Sequence, residues 1–115
     1  MRLTRRSLVK AGSLAALGTL AGSAARAGEP VALLIYDSRI PRSRALAMRF
    51  AGAKVDVARE HGAMWRTLRA APPAGRIVGL TRWNEHVLAR GYLEEHRRRI
   101  GVEQRHGDLI YWEMK

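Results

Sequence analysis

Apolar positions along this chain fall into short continuous runs separated by amphipathic stretches. Val31-Ala32-Leu33-Leu34-Ile35-Tyr36 is an unbroken apolar run. Such a run suits a strand covered on both faces, as in parallel α/β sheets. Pro41 follows soon after, where its missing N–H suits the first turn of a helix. From Arg42 the stretch SRALAMRFA is helical in character, with Leu46 and Phe50 on one face and Gly52 as its stop. Lys54 to Ala58 is short and β-branched, which predicts a second strand. Ala63 to Ala71 predicts a helix with Met64 and Leu68 four apart and Trp65 beside them, broken by Pro72-Pro73-Ala74-Gly75. Ile77 to Leu80 predicts a third strand.

Asn84 is a suitable N-cap for the longest predicted helix, Glu85 to Arg99, with Leu88 and Tyr92 buried and Val87 beside them. Val102 to Arg105 and Leu109 to Met114 flank His106-Gly107-Asp108 and predict a hairpin. The order is β-α-β-α-β-α-β-β. The expected fold class is α/β, a small mostly parallel sheet (β-α-β-α-β-α) closed by a C-terminal β-hairpin, in two or three layers. It resembles about half of a doubly wound fold. The alternative is a split α+β sandwich with all helices on one face.

The first 27 residues follow another logic. Arg2, Arg5, Arg6 and Lys10 form a basic front with no acid. A modestly apolar run from Ala11 to Ala21 follows, and Ala25-Arg26-Ala27 places small residues where a signal peptidase reads them. With the Arg5-Arg6 pair inside Thr4-Arg5-Arg6-Ser7-Leu8-Val9-Lys10, this stretch resembles the twin-arginine (Tat) export signal of bacteria. That resemblance implies cleavage between Ala27 and Gly28, a periplasmic location, and the Tat translocation machinery as a partner. It also implies membrane contact only during export, and a chain that folds before crossing. The competing expectation is a retained anchor, but Gly12, Ser13, Gly18, Thr19, Gly22 and Ser23 interrupt the run. A spanning helix needs about 20 predominantly apolar residues. The domains are therefore 1–27, a signal peptide, and 28–115, one small α/β domain.

Removing the signal changes the charge. The whole sequence carries a formal +11, whereas residues 28–115 hold sixteen basic and ten acidic side chains, net +6. Only Lys54 and Lys115 among those bases are lysines. Such a surface is drawn to anionic partners. No nucleic-acid motif is present, and nucleic acid is not an expected partner outside the cytoplasm. The sequence has no Cys, which rules out disulfides, thiolate-held zinc, iron–sulfur clusters and Cys-attached haem within it.

Candidate chemistry gathers where the predicted parallel strands end, the edge where open α/β sheets bind ligands. Three segments meet there: Asp37-Ser38-Arg39, Arg59-Glu60-His61 and Thr81-Arg82-Trp83. Arg39 and Arg82 offer forked donors for an anion, and Ser38 and Thr81 offer hydroxyls. The helix after Asn84 offers a positive N-terminus, and Asp37 with His61 would make a proton-transfer pair if they met. Each also has a plain structural use: Asp37, Ser38, Thr81 and Asn84 as turn or cap residues, His61, Arg39 and Arg82 as solvated surface.

No Gly follows the first strand in YDSRIP, and neither GxSxG nor HExxH occurs, so a dinucleotide loop, P-loop and nucleophile elbow are all absent. His86, His96 and His106 are ten residues apart, which on a helix turns side chains to different faces; no metal and no other cofactor is expected. The terminal segment Leu109 to Lys115 reads as a core edge strand, or as a docking strand for a partner if one of its faces is uncovered. Two function classes result. One is a small periplasmic accessory protein without catalytic machinery, partnering a larger exported protein. The other is a small anion- or nucleotide-binding domain using the strand-edge residues.

Overall fold

The computed structural model describes residues 30–115. The export segment and its cleavage point lie outside the described residues. The order is β1 (Val31–Tyr36), α1 (Pro41–Arg49), β2 (Lys54–Asp56), α2 (Val57–Gly62), α3 (Arg66–Arg69), β3 (Arg76–Thr81), α4 (Trp83–Glu94), β4 (Ile100–His106) and β5 (Leu109–Met114).

The five strands form one sheet in the order β2-β1-β3-β5-β4. β1 runs parallel to both β2 and β3, whereas β5 is antiparallel to both β3 and β4. The fold class is α/β, but the sheet is mixed, which corrects the mostly parallel expectation. The terminal hairpin is the reason. Both of its strands are long, and β5 inserts beside β3 instead of trimming an edge. A two-residue turn, Gly107-Asp108, joins them, with Gly107 at φ 69°, a conformation glycine adopts without strain. β5 is therefore paired on both sides, so the terminal strand has no free edge for docking.

Side chains alternate across the sheet and separate two cores. Leu33, Ile35, Ile77, Ile110, Trp112 and Met114 face α2, α3 and α4, meeting Val57, Trp65, Leu68, Ala89 and Leu93. Leu34, Val78, Leu80, Leu109 and Tyr111 face the other way, where α1 supplies Leu46 and Ala47. Helices thus cover both faces, which makes three layers and excludes the one-sided alternative. Each fully buried Leu or Ile contributes about 1.5–3 kcal/mol. One close approach joins the halves of the sheet: a Cβ on Gly79 would lie 2.1 Å from Trp112 Cε2, so the indole lies on bare glycine backbone.

Several boundaries differ from those predicted. The second strand stops at Asp56, because the Asp56 carboxylate accepts from Ala58 N (3.1 Å) and opens α2 at Val57. The predicted helix 63–71 reduces to Arg66–Arg69, preceded by Met64 and Trp65 at φ 57° and 59°. This left-handed pair reverses the chain, and buried Glu60 caps α3 by accepting from Thr67 N (3.0 Å) and Leu68 N (3.3 Å).

α4 starts at Trp83, with Arg82 and not Asn84 at the N-cap, and ends at Glu94 instead of Arg99. The chain must turn early because Arg99 exchanges both backbone hydrogen bonds with Lys115 at the start of the hairpin. Arg98 also donates to the carbonyls of Gly75 and Pro73. The buried stripe of α4 is Glu85, His86, Ala89 and Leu93, so Val87 and Leu88 point outward. Among the described residues no helix is long and apolar enough to cross a membrane.

Candidate functional site

From β1 the chain passes to β2 on one side, then returns beyond β1 to β3 on the other. The reversal makes the carboxyl ends of β1 and β3 a topological switch point, the place where ligands sit in open α/β sheets. The segments arriving there are Asp37-Ser38-Arg39 after β1, α2 with His61 after β2, and Arg82 with the first turn of α4 after β3.

At its centre is a guanidinium held by two carboxylates. Arg39 Nε and Nη2 donate to Asp37 Oδ1 and Oδ2 at 2.9 and 2.8 Å, a forked pair. Arg39 Nη2 also reaches Glu85 Oε2 at 3.3 Å. The same oxygen lies 3.3 Å from His61 Nε2. Asp37 is fully buried, whereas the Arg39 side chain is 48% exposed. The base of the ion pair is thus fixed in the protein and its outer side faces solvent. Arg39 Nη1 has no hydrogen bond among the described residues.

The Asp37 carboxyl feels opposing forces. Burial raises its pKa, but hydrogen bonds from the Arg39 side chain and backbone, with the positive charges of Arg39 and Arg82, outweigh burial and hold it below the usual carboxylate value. Arg39 is raised in turn, by the Asp37 hydrogen bond against a smaller opposing effect of burial. Arg82 follows β3 directly at the same strand edge, and its positive charge is one of those that lower Asp37. The Arg82 side chain makes no hydrogen bond or ion pair among the described residues, and the residue is exposed.

The strand-edge residues divide by role. Asp37, Arg39 and His61 converge, with Arg82 alongside. Asp37 and His61 do not pair, however: Asp37 is occupied by Arg39, and the carboxylate beside His61 belongs to Glu85. Ser38 shapes the loop, its N–H donating to Asp56 Oδ1 (3.0 Å) and its carbonyl accepting from Arg44 Nη1 (2.9 Å). Thr81 is buried, and its hydroxyl accepts from Trp112 Nε1 (3.2 Å), so it orients the core indole and does not face a ligand. Asn84 lies inside the first turn of α4, which gives that helix no side-chain cap.

Three further residues build the site. Glu85 joins Arg39 to His61, and its Oε1 is buried with no donor among the described residues, a deficit of about 1–3 kcal/mol that a donor from water or ligand would remove. Asp56 ties the β1 loop to the start of α2. Ser43 on α1 is buried between two loops, accepting from Asp37 N (2.8 Å) and donating to the Leu80 carbonyl (2.7 Å). His61 is steadied from behind, its ring edge-on to Trp65 at 4.8 Å, and Trp65 stacks on Tyr92 at 5.8 Å.

The signal for Glu85 was available. It shares the i, i+4, i+8 spacing of Ala89 and Leu93, but the apolar Leu88 and Tyr92 drew the helix face one residue aside. No group of three or more metal-ligating side chains occurs among the described residues. The arrangement can bind an anion through the open side of Arg39 and through Arg82, and it can present an imidazole next to a carboxylate. No protein-family model, curated protein or solved structure matches this chain.

Proposed function

We propose that this chain is a small exported binding protein that holds a small anion, a carboxylate or a phosphate, at the switch point of its sheet. Arg39 and Arg82 supply the charge, and His61 supplies a ring nitrogen at the rim. The observation that carries this reading is the convergence of Asp37, Arg39, His61 and Glu85 from three separated segments around one half-exposed guanidinium. Asp37 fixes the orientation of that guanidinium before any ligand arrives, which lowers the ordering cost of binding. The net +6 of residues 28–115 favours approach of an anion. With β5 paired on both sides, the terminal strand offers no edge to a partner.

Export rests on Thr4 to Lys10 and on Ala25 to Ala27. In this reading the Tat machinery delivers a folded domain to the periplasm, and the signal is removed before Gly28. The mass of the protein recovered from the periplasmic fraction checks this: cleavage yields residues 28–115, and an intact 1–115 species retained in the membrane contradicts it.

The binding reading is tested by titration calorimetry with phosphate and with acetate. Saturable binding with a Kd on the order of 0.1–1 mM is expected, a value suited to a small ligand on an open edge. Arg82→Ala, at an exposed position with no hydrogen bond to lose, weakens it about tenfold or more with the fold intact. Equal binding by wild type and Arg82→Ala, or no saturable heat with either anion, counts against the site.

A further inference from the structure

The outward face of α4 is unusual for a helix exposed to water. Its exposed positions are Trp83, Asn84, Val87, Leu88, Gly91 and Glu94, of which only Asn84 and Glu94 are polar. Trp83, Val87 and Leu88 are 51%, 47% and 40% exposed. Trp83, Val87 and Gly91 follow i, i+4, i+8 and so lie along one ridge.

No contact among the described residues requires a glycine at position 91. A Cβ there would meet nothing within 4 Å, and its φ is not positive. Glycine is the poorest helix former after proline. A glycine with no local reason, in the middle of an apolar ridge, leaves a notch open to a neighbouring molecule.

The ridge is complementary to itself. If a second α4 is laid antiparallel with Val87 facing Val87, the residue numbers of facing positions add to a constant. Trp83 of each copy then falls on Gly91 of the other, the bulkiest residue over the smallest. Arg90 faces Asn84, so no like charges oppose across the ridge. Glu94 keeps its own ion pair with Arg90 at 2.9 Å and falls opposite the residues that precede the opposing α4, so it brings no uncompensated charge to the ridge. A two-fold interface requires one patch to fit itself in this manner.

We propose that two copies of this chain associate through α4, antiparallel about a two-fold axis at Val87, with each Trp83 seated on Gly91 of the second copy. Twelve residues make a helix about 18 Å long. So small a contact gives a weak dimer, with a dissociation constant on the order of 10–100 µM.

The test is sedimentation velocity on the purified protein from about 5 to 500 µM, a span that brackets such a constant. Wild type shifts from monomer toward dimer across the range. Gly91→Leu fills the notch, adds apolar surface and improves helix propensity. It weakens association about tenfold or more, while circular dichroism shows the helices unchanged. Trp83→Ala weakens it as well. A monomer at every concentration overturns the proposal, whether α4 stays bare or another segment or protein covers it. Association of Gly91→Leu as tight as wild type, or tighter, also overturns it, because non-specific stickiness would gain from the added leucine.

Discussion

Gly79 and Trp112 set the tightest constraint at the scale of single residues. A Cβ at position 79 would fall 2.1–2.6 Å from three atoms of the indole, and Trp112 is fully buried. Gly79→Ala is expected to destabilise the fold by about 1–3 kcal/mol, measured by urea unfolding. A change below about 0.5 kcal/mol would mean the indole has somewhere to go.

Asp37 is the matching polar constraint. Asp37→Asn leaves Arg39 without its forked acceptor and is expected to cost about 1–3 kcal/mol, at the lower end because the Arg39 side chain is half exposed. The pH dependence comes from two lowered values. Asp37 is depressed below 3.8, so its contribution is present above that pH and is lost as pH falls through the lower folded value. His106 is depressed below 6.5, first by burial and then by the charge of Arg42, so the unfolded chain takes that proton first. Both therefore make the fold less stable toward acid, with His106 acting from about pH 6.5 downward. In thermal melts, His106→Gln is expected to flatten the decline between pH 7 and pH 5, roughly the window of an ordinary histidine. An unchanged slope there would mean that His106 does not drive the acid response.

The elements around the site depend on side chains that cap backbone at a distance. The Glu60 side chain reaches past the left-handed Met64-Trp65 turn and opens α3. Glu60→Ala is expected to cost about 1–2 kcal/mol. It should also loosen Trp65, seen as a red shift and loss of intensity in tryptophan emission compared with wild type. Unchanged stability and emission would mean the turn holds without its cap.

Local chemistry explains how much of these elements was legible. The strand at Val31–Tyr36, the proline that starts α1 and the glycine of the terminal turn each have short-range causes, and each is visible in the sequence. The left-handed pair at 64 and 65 is not, since neither Met nor Trp favours that conformation. Only Glu60, buried by the tertiary fold, makes sense of it. The end of α4 was hidden for the same reason: Glu94 to Arg99 reads as a good helix, and pairing of Arg99 with Lys115 overrides it.

At the scale of the molecule, alternation along the sequence shows strands and helices, but it does not show which strand lies beside which. Leu109 to Met114 could have been an edge, and pairing on both sides makes it an interior strand and the sheet mixed. That the segments after β1, β2 and β3 reach one edge was legible, because parallel strands joined by helices all end on the same side of the sheet, whatever their order. The wiring of the site was not. Asp37 joins Arg39 two residues away, and His61 meets Glu85, twenty-four residues downstream. Thr81 leaves the site for Trp112, since burial of the indole N–H demands an acceptor.

We propose an anion site at this switch point, and one experiment decides it. That experiment is a titration of isotopically labelled protein with phosphate, monitored through backbone amide chemical shifts. Saturable shifts confined to Asp37-Ser38-Arg39, Arg82-Trp83 and His61, and lost in Arg82→Ala, are the predicted result. Shifts that never saturate, or that scatter over the other arginines and persist in Arg82→Ala, would contradict it and reduce the cluster to a structural ion pair.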